Sequence, residues 1–342
     1  MKTVPIEPPY IHGAVSLEPK AGGLKPWRIP YQEKTLFAPD EGVPDRAMKP
    51  AGVRLRFRTN SPTIQLKCVL EPIADYEMDF DFLVEGERIA RARHHAPGEA
   101  FLSFERPDAE AAICEIWLPI FMPLQLTSLS VEDDALLEPA PDTRPKWVTY
   151  GSSITMCRAA ESPSLTWPAV AARKCDLHLT CLGYGGQCHV DSMVARMMRD
   201  LPADLITLKL GINVQGQGTL DARSYIAAVI GFIQIIREKH PRTPIGLITP
   251  IVSPHRETQA NVVGMSLEAY REQNREAFER LRAHGDTQLF LFEGPDVLLG
   301  LEDAHLLPDD LHPNGEGYQR MGERAAAHIL PPLLAARKAS DG

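Results

Sequence analysis

The feature that most constrains the fold is a change of apolar period across a proline-rich segment, Glu138-Pro139-Ala140-Pro141-Asp142-Thr143-Arg144-Pro145. On its N-terminal side apolar residues recur at every second position. Val53, Leu55 and Phe57 alternate with Arg54, Arg56 and Arg58; Ile64, Leu66, Cys68 and Leu70 form a second series. Met78, Phe80, Phe82 and Val84 form a third, interleaved with acids. Period two belongs to a strand with one face buried, and the turn signals Asn60-Ser61-Pro62 and Glu85-Gly86-Glu87 separate such strands. With further short runs at 100–105, 112–118 and 125–131 and no helical segment among them, the pattern predicts an antiparallel β-sandwich. Beyond the segment, apolar runs at 147–150, 179–183, 204–210, 245–251 and 288–292 alternate with helical periodicity at 190–201, 222–238, 266–284 and 315–336. Buried strands alternating with helices predict a parallel α/β sheet. The expected organisation is an N-terminal arm and sandwich over 1–140, a linker, and an α/β domain over 146–338. The Met193, Val194, Met197, Met198 face of the first long helix reads as core.

Composition narrows the function classes. A length of 342 residues favours two domains, and a net charge of −9 argues against nucleic acid or an anionic membrane surface as partner. No apolar stretch approaches the roughly 20 residues that span a bilayer, so no membrane insertion is expected. The N-terminus carries no apolar signal stretch, which favours a cytoplasmic protein. Six cysteines contain no C-x-x-C and lack zinc spacing, so buried free thiols are expected and neither a metal nor a cofactor is. The arm, residues 1–48, is compatible with a homo-oligomer, although no interface pattern is evident.

Four features follow one another in the α/β half. Gly151-Ser152-Ser153 comes after the first strand and Gly183-Tyr184-Gly185-Gly186-Gln187 after the second. Gly211-Ile212-Asn213 comes after the third, and Asp309-Asp310-Leu311-His312 precedes the last helix. Each lies where a strand or loop ends at one rim of the sheet, where ligands of such sheets bind. A hydroxyl, an imidazole and a carboxylate three residues before it are the parts needed for acyl transfer through a serine ester. From residue types alone Ser152 and Ser153 compete as nucleophile, with the other capping the helix, and Asp309 and Asp310 compete as the orienting acid.

This ordered set resembles the SGNH (GDSL) hydrolase family over residues 146–336. The resemblance implies a flavodoxin-like, three-layer α/β/α domain with a parallel sheet. The sandwich before it is similar to the jelly-roll-like modules of some carbohydrate esterases. It also implies a Ser153, His312 and Asp309 triad. The oxyanion donors it implies are the backbone N–H of Ser153, that of Gly186 (with Gly185 as the alternative register) and the Asn213 side chain. Ser152 stands where the family usually has Asp, and Val214 follows Asn213 where it usually has Asp. These departures touch the bracing of the loops rather than the triad. Tyr184, Gln187, His189 and His255 are candidates for the substrate pocket. His94-His95 reads as a solvated turn, and Arg54, Arg56 and Arg58 as a solvated or interfacial strand face.

The expected activity is that of a metal-free serine esterase acting on short-chain acyl esters, including acetyl esters of carbohydrates. The partner is then a small-molecule acyl ester or acylated carbohydrate. A thioesterase or lysophospholipase of the same family is the alternative within the class. A non-catalytic carbohydrate-binding protein on the same scaffold is the alternative outside it.

Overall fold

The computed structural model describes residues 1–72, 78–108 and 110–341. The chain divides into two compact units. One comprises Met1–Thr35, Pro44–Thr143 and Ser162–Ser164; the other comprises Leu36–Val43, Arg144–Glu161 and Leu165–Gly342.

The first unit contains two antiparallel sheets. One runs in the order Ser16–Lys20, Gly23–Trp27, Leu124–Val131, Thr63–Leu70, Gly98–Glu105, with Lys2–Pro5 also paired to Leu124–Val131. The other runs Leu137–Pro139, Arg54–Thr59, Ala112–Trp117, Met78–Val84, Glu87–His94, with Ile11–His12 on Arg54–Thr59. The period-two series builds the core: Leu55, Phe57, Ile64, Leu66, Cys68, Phe80, Phe82, Leu102 and Phe104 pack in one cluster. Alternation sends these side chains to one face of each strand, and their burial is the main stabilising term.

Two expectations fail here for one reason. Arg54 and Arg56 are buried, not solvated; Arg58 alone of the three is exposed. Arg54 Nη2 lies 3.1 Å from Asp142, and Arg56 Nε lies 3.2 Å from Glu115. The segment read as a linker is also partly ordered by pairing, since Leu137–Pro139 adds a strand to Arg54–Thr59. Arg56 Nη1 then donates to the carbonyls of Ala140 and Pro141, each at 3.1 Å. Buried guanidinium groups need partners, and the proline-rich segment supplies a carboxylate and two carbonyls to them. His94 closes the Glu87–His94 strand and is half-buried, whereas His95 beside it is exposed.

The second unit is a five-stranded parallel sheet in the order His178–Gly183, Lys146–Gly151, Leu205–Lys209, Ile245–Ile248, Leu289–Phe292. Helices flank it, giving the three-layer α/β/α arrangement. Trp167–Lys174 packs with Gly315–Arg324, while Ala222–Arg237 packs with both Ser192–Asp200 and Leu267–Ala283. Every residue of Leu205–Lys209 is buried, as a strand covered on both faces requires. The fourth strand stops at Ile248, short of Pro250, which lacks the N–H that a ladder needs. Val194, Met197 and Met198 are core, with Met193 half-buried. The last helical pattern runs on to Asp341 through a π-helical turn at Ala325–Ile329. Five cysteines are buried and Cys175 is half-buried, all as free thiols. Among the described residues no helix is long and apolar enough to cross a membrane.

Candidate active site

The strand Lys146–Gly151 runs straight into the short helix Ser153–Met156. The turn is tight because Gly151 has no side chain: a Cβ there would come 2.2 Å from Thr155 Oγ1. A Cβ on Gly183 would come 2.3 Å from the backbone N of Met156, so the neighbouring strand also presses on this helix only as glycine. Ser152 is the N-cap. It is buried, and its Oγ accepts the Ile154 N–H at 3.2 Å, which uses its side chain in the cap. Ser153, half-buried, is left facing the other way, with Oγ 2.8 Å from His312 Nε2.

His312 Nδ1 lies 2.7 Å from Asp309 Oδ2. An ionised carboxylate only accepts, so Nδ1 carries the ring proton and Nε2 is free to accept from the Ser153 hydroxyl. The second Asp309 oxygen accepts the backbone N–H groups of Leu311 (3.1 Å) and His312 (2.6 Å), closing the D-x-x-H turn on itself. Burial alone would raise the Asp309 carboxyl, but the hydrogen bonds from the His312 ring and backbone prevail and hold it below its ordinary value. Asp310, the rival acid, faces elsewhere, with its Oδ2 2.9 Å from His255 Nε2.

The glycine turn lies beside the serine. A Cβ on Gly185 would come 3.5 Å from Ser153 Cβ. Gly186 follows with φ +72, and its carbonyl accepts from Gln217 Nε2 (2.6 Å) and His189 Nε2 (3.0 Å). Asn213 sits near the start of the helix Ile212–Gln217, and its Oδ1 accepts the Cys188 N–H at 3.0 Å. That bond fixes which end of the amide is the acceptor and leaves Nδ2 as a donor. A hydroxyl hydrogen-bonded to an oriented imidazole, with a glycine turn beside it, has the arrangement that acyl transfer needs. Cys188 does not compete as a nucleophile, because burial pushes its thiol up to about 12.

Residues 145–329, over half of the chain, match the model described as the GDSL-like Lipase/Acylhydrolase family. The chain belongs to this GDSL-like family. It is accordingly an enzyme of the class of acyl-ester hydrolases and acyltransferases. Residues 10–126 match a second model, the SsfX3 N-terminal domain. Among solved structures, the chain is similar to Salicylyl-Acyltransferase SsfX3 from a tetracycline biosynthetic pathway. The identity is 34% with a TM-score of 0.88, over 96% of this chain and 98% of that one. A structure from Bacteroides ovatus described as a GDSL-like lipase shares 22% identity and a TM-score of 0.79, over 98% of both chains. A family two carbohydrate esterase from Clostridium thermocellum, solved with cellohexaose, shares the fold at 16% identity. Its TM-score is 0.65, over 83% of this chain and 93% of that one. No curated protein matches the chain.

The GDSL-like scaffold disposes of the remaining pocket candidates unequally. Tyr184 is a correction: it is fully buried, its ring 6.1 Å from that of Tyr150, so it packs in the core rather than lining a pocket. His189 uses both ring nitrogens, Nε2 on the Gly186 carbonyl and Nδ1 on Thr219 Oγ1 at 2.9 Å, and so braces the glycine turn. Gln187 is half-buried and lies against Gly42, whose Cβ position is 3.2 Å from Gln187 Oε1. His255 is 78% exposed and touches the D-x-x-H turn through Asp310. Sequence reasoning passed over Gln217 and gave Ser253 only as part of the rim segment Ser253-Pro254-His255, with a substrate-facing role. Gln217 was signalled by its place one helical turn after Asn213, and Ser253 by its neighbour His255 at the rim.

Proposed function

We propose that this chain is a serine esterase for short-chain acyl esters, with Ser153 as nucleophile, His312 as base and Asp309 as the orienting acid. The single observation that carries the reading is the unbroken hydrogen-bonded series Ser153 Oγ, His312 Nε2, His312 Nδ1, Asp309 Oδ2. As His312 takes the hydroxyl proton, Ser153 Oγ bonds to the acyl carbon and the carbonyl oxygen becomes an oxyanion. Backbone N–H groups of Ser153 and Gly186, with Asn213 Nδ2, are the donors for that charge. Collapse expels the alcohol, which takes the proton back from His312. Water, deprotonated by His312, then releases the acid and restores Ser153. Asp309 stays ionised throughout because its carboxyl is held low, and it stabilises the imidazolium that forms within each step, while the tetrahedral intermediate exists.

Acetyl esters of carbohydrates are the natural candidates for the acyl donor. Supporting this are the sandwich unit before the catalytic one and the carbohydrate esterases that share this two-part fold. A second reading, transfer of the acyl group to an alcohol instead of water, is favoured by the full-length match to a salicylyl-acyltransferase. Both readings share the acyl-enzyme and differ only in what attacks it.

The test is turnover of a p-nitrophenyl ester series, acetylated sugars and acyl thioesters, with Ser153→Ala as control and added alcohols as competing acceptors. Acetate esters are expected to react fastest, and only through Ser153. Long chains outpacing acetate would remove the short-chain assignment. New esters forming in the presence of an alcohol, at the expense of free acid, would favour transfer. A folded wild-type protein that a fluorophosphonate leaves unlabelled would replace both readings with carbohydrate binding alone.

A further inference from the structure

The D-x-x-H turn stands in the open: Asp309 is 56% exposed and His312 32% exposed. Its second residue, Asp310, has φ +57, a left-handed conformation that aspartate adopts more readily than most side chains and glycine more readily still. The turn closes on itself through Asp309 Oδ1, and one contact from outside it bears on the 310–311 peptide.

The holder is Ser253. This residue follows the fourth strand and is buried, and its Oγ donates to the Asp310 carbonyl at 2.7 Å. Its own N–H donates to Glu257 Oε1 at 2.8 Å. Glu257 is gripped in turn by Arg271, with contacts of 2.5 and 2.9 Å to its two carboxylate oxygens. Arg271 is itself buried and spends its other donors on the carbonyls of Pro250 (2.9 Å) and Ile251 (3.0 Å). Ser253 is thus fixed at the end of a fully paired network rooted in the helix Leu267–Ala283.

The bond it makes lands on one particular peptide. The carbonyl of Asp310 and the N–H of Leu311 belong to the same planar unit. Ser253 holds the oxygen side of that plane, and its nitrogen side donates to Asp309 Oδ1. The other Asp309 oxygen holds the His312 ring. Rotation of this one peptide would swing the carboxylate and, through it, the imidazole.

We propose that Ser253 is a positioning residue for the triad, setting the 310–311 peptide so that Asp309 presents its carboxylate to His312. This rests on the triad reading above. The exposed His255 contact to Asp310 is a lesser tie, because a solvated pair holds less firmly than a buried hydrogen bond.

The experiment compares Ser253→Ala, Ser253→Cys, Asp310→Gly and the double variant Ser253→Ala/Asp310→Gly with wild type in p-nitrophenyl acetate turnover, fluorophosphonate labelling rate and thermal unfolding. Ser253→Ala is expected to lower kcat about 10- to 100-fold with KM little changed, because misplacement of a catalytic group acts on the transition state. Labelling should slow in proportion. Ser253→Cys, with a weaker donor of similar shape, should fall between the two. Glycine at 310 accepts the left-handed conformation without a restraint, so the double variant should recover part of the kcat lost by Ser253→Ala. A purely structural role would lower the unfolding temperature and show no such recovery. Wild-type kcat in folded Ser253→Ala, or a loss confined to KM, overturns the proposal. If Ser253→Ala does not fold, wild-type kcat in Ser253→Cys overturns it equally. Ser153→Ala separates the two levels. Turnover surviving in that variant overturns the triad reading and this inference together. An inert Ser153→Ala beside a fully active Ser253→Ala overturns this inference alone.

Discussion

In the sandwich unit, Glu115 lies 3.2 Å from Arg56 and 3.7 Å from Arg54, and it also accepts the Trp117 indole N–H at 2.9 Å. All four residues are buried, and each charge is met by an opposite one. The α/β unit treats its polar groups differently. The Asp309 carboxylate is more than half exposed, and the Lys209 amine, buried at the end of the third strand, has no hydrogen-bonding partner among the described residues. Around Glu115 the first unit meets each buried charge with an opposite one and so uses these charges as structure. The second tolerates a partly hydrated turn and an uncompensated amine in the same half of the chain that carries the Ser153–His312 contact. A triad carboxylate must stay charged and reachable, so the α/β unit keeps Asp309 at the surface while its half-buried Glu257 is paired with Arg271 as the sandwich charges are.

Among substitutions that separate the two units, one in the α/β unit should matter most. Ser153→Ala should reduce kcat at least about 10⁴-fold while leaving the unfolding temperature nearly unchanged, as removal of a nucleophile does. Activity and calorimetry on the same preparation check both halves of that statement. Glu115→Ala should do the reverse. It leaves two buried guanidinium groups without their shared partner and should cost about 3–5 kcal/mol of stability in urea unfolding, as breaking a buried pair does. If Glu115→Ala is as stable as wild type, the sandwich pairs are not what the comparison takes them for.

Asn213→Ala should lower kcat about 10²- to 10³-fold, the usual loss for one oxyanion donor, and cost about 1–3 kcal/mol of stability because the Cys188 N–H loses its acceptor. An unchanged kcat would remove Asn213 from the donor set.

Lys209→Met sharpens the comparison through pH. Burial pushes the Lys209 amine down to about 8, against 10.5 for the free group. Between those values the unfolded chain binds more protons than the folded one, so wild-type stability rises with pH across that window. The charged amine should destabilise the fold on the order of 3 kcal/mol below pH 8. Lys209→Met should therefore be the more stable protein at pH 7, and its advantage should shrink toward zero above pH 10.5. A gap that does not change with pH would mean that the amine is not the cause.

Much of the catalytic unit was legible in the sequence because the signals were local. Asp309 and His312 are three residues apart, so a single turn closes their contact. Gly151 and Gly183 mark the strand ends where a side chain would collide. The buried runs located all five parallel strands to within a few residues, since continuous burial leaves a continuous apolar run. Arg54 and Arg56 were misread because alternation reports only that two residues share a strand face, not what covers that face. Tyr184 was misread because an aromatic in a glycine-rich turn suits a pocket and a core equally well. Ser253 was legible as a rim residue but not as a holder of the D-x-x-H turn, since its partner there is a carbonyl oxygen, which every residue has.

The apolar periods can be read without coordinates, and with them the element types, their order and the two-part character of the chain. So can the side chains that have the chemistry for acyl transfer. Packing of distant segments is what brings Ser153, and not the capping Ser152, to 2.8 Å from an imidazole 159 positions away. The same packing sets Asp142 and Glu115 over the arginine face. Periodicity is set by the backbone over a few residues, whereas a hydrogen bond needs two atoms within about 3 Å, which depends on how segments far apart in the chain are packed.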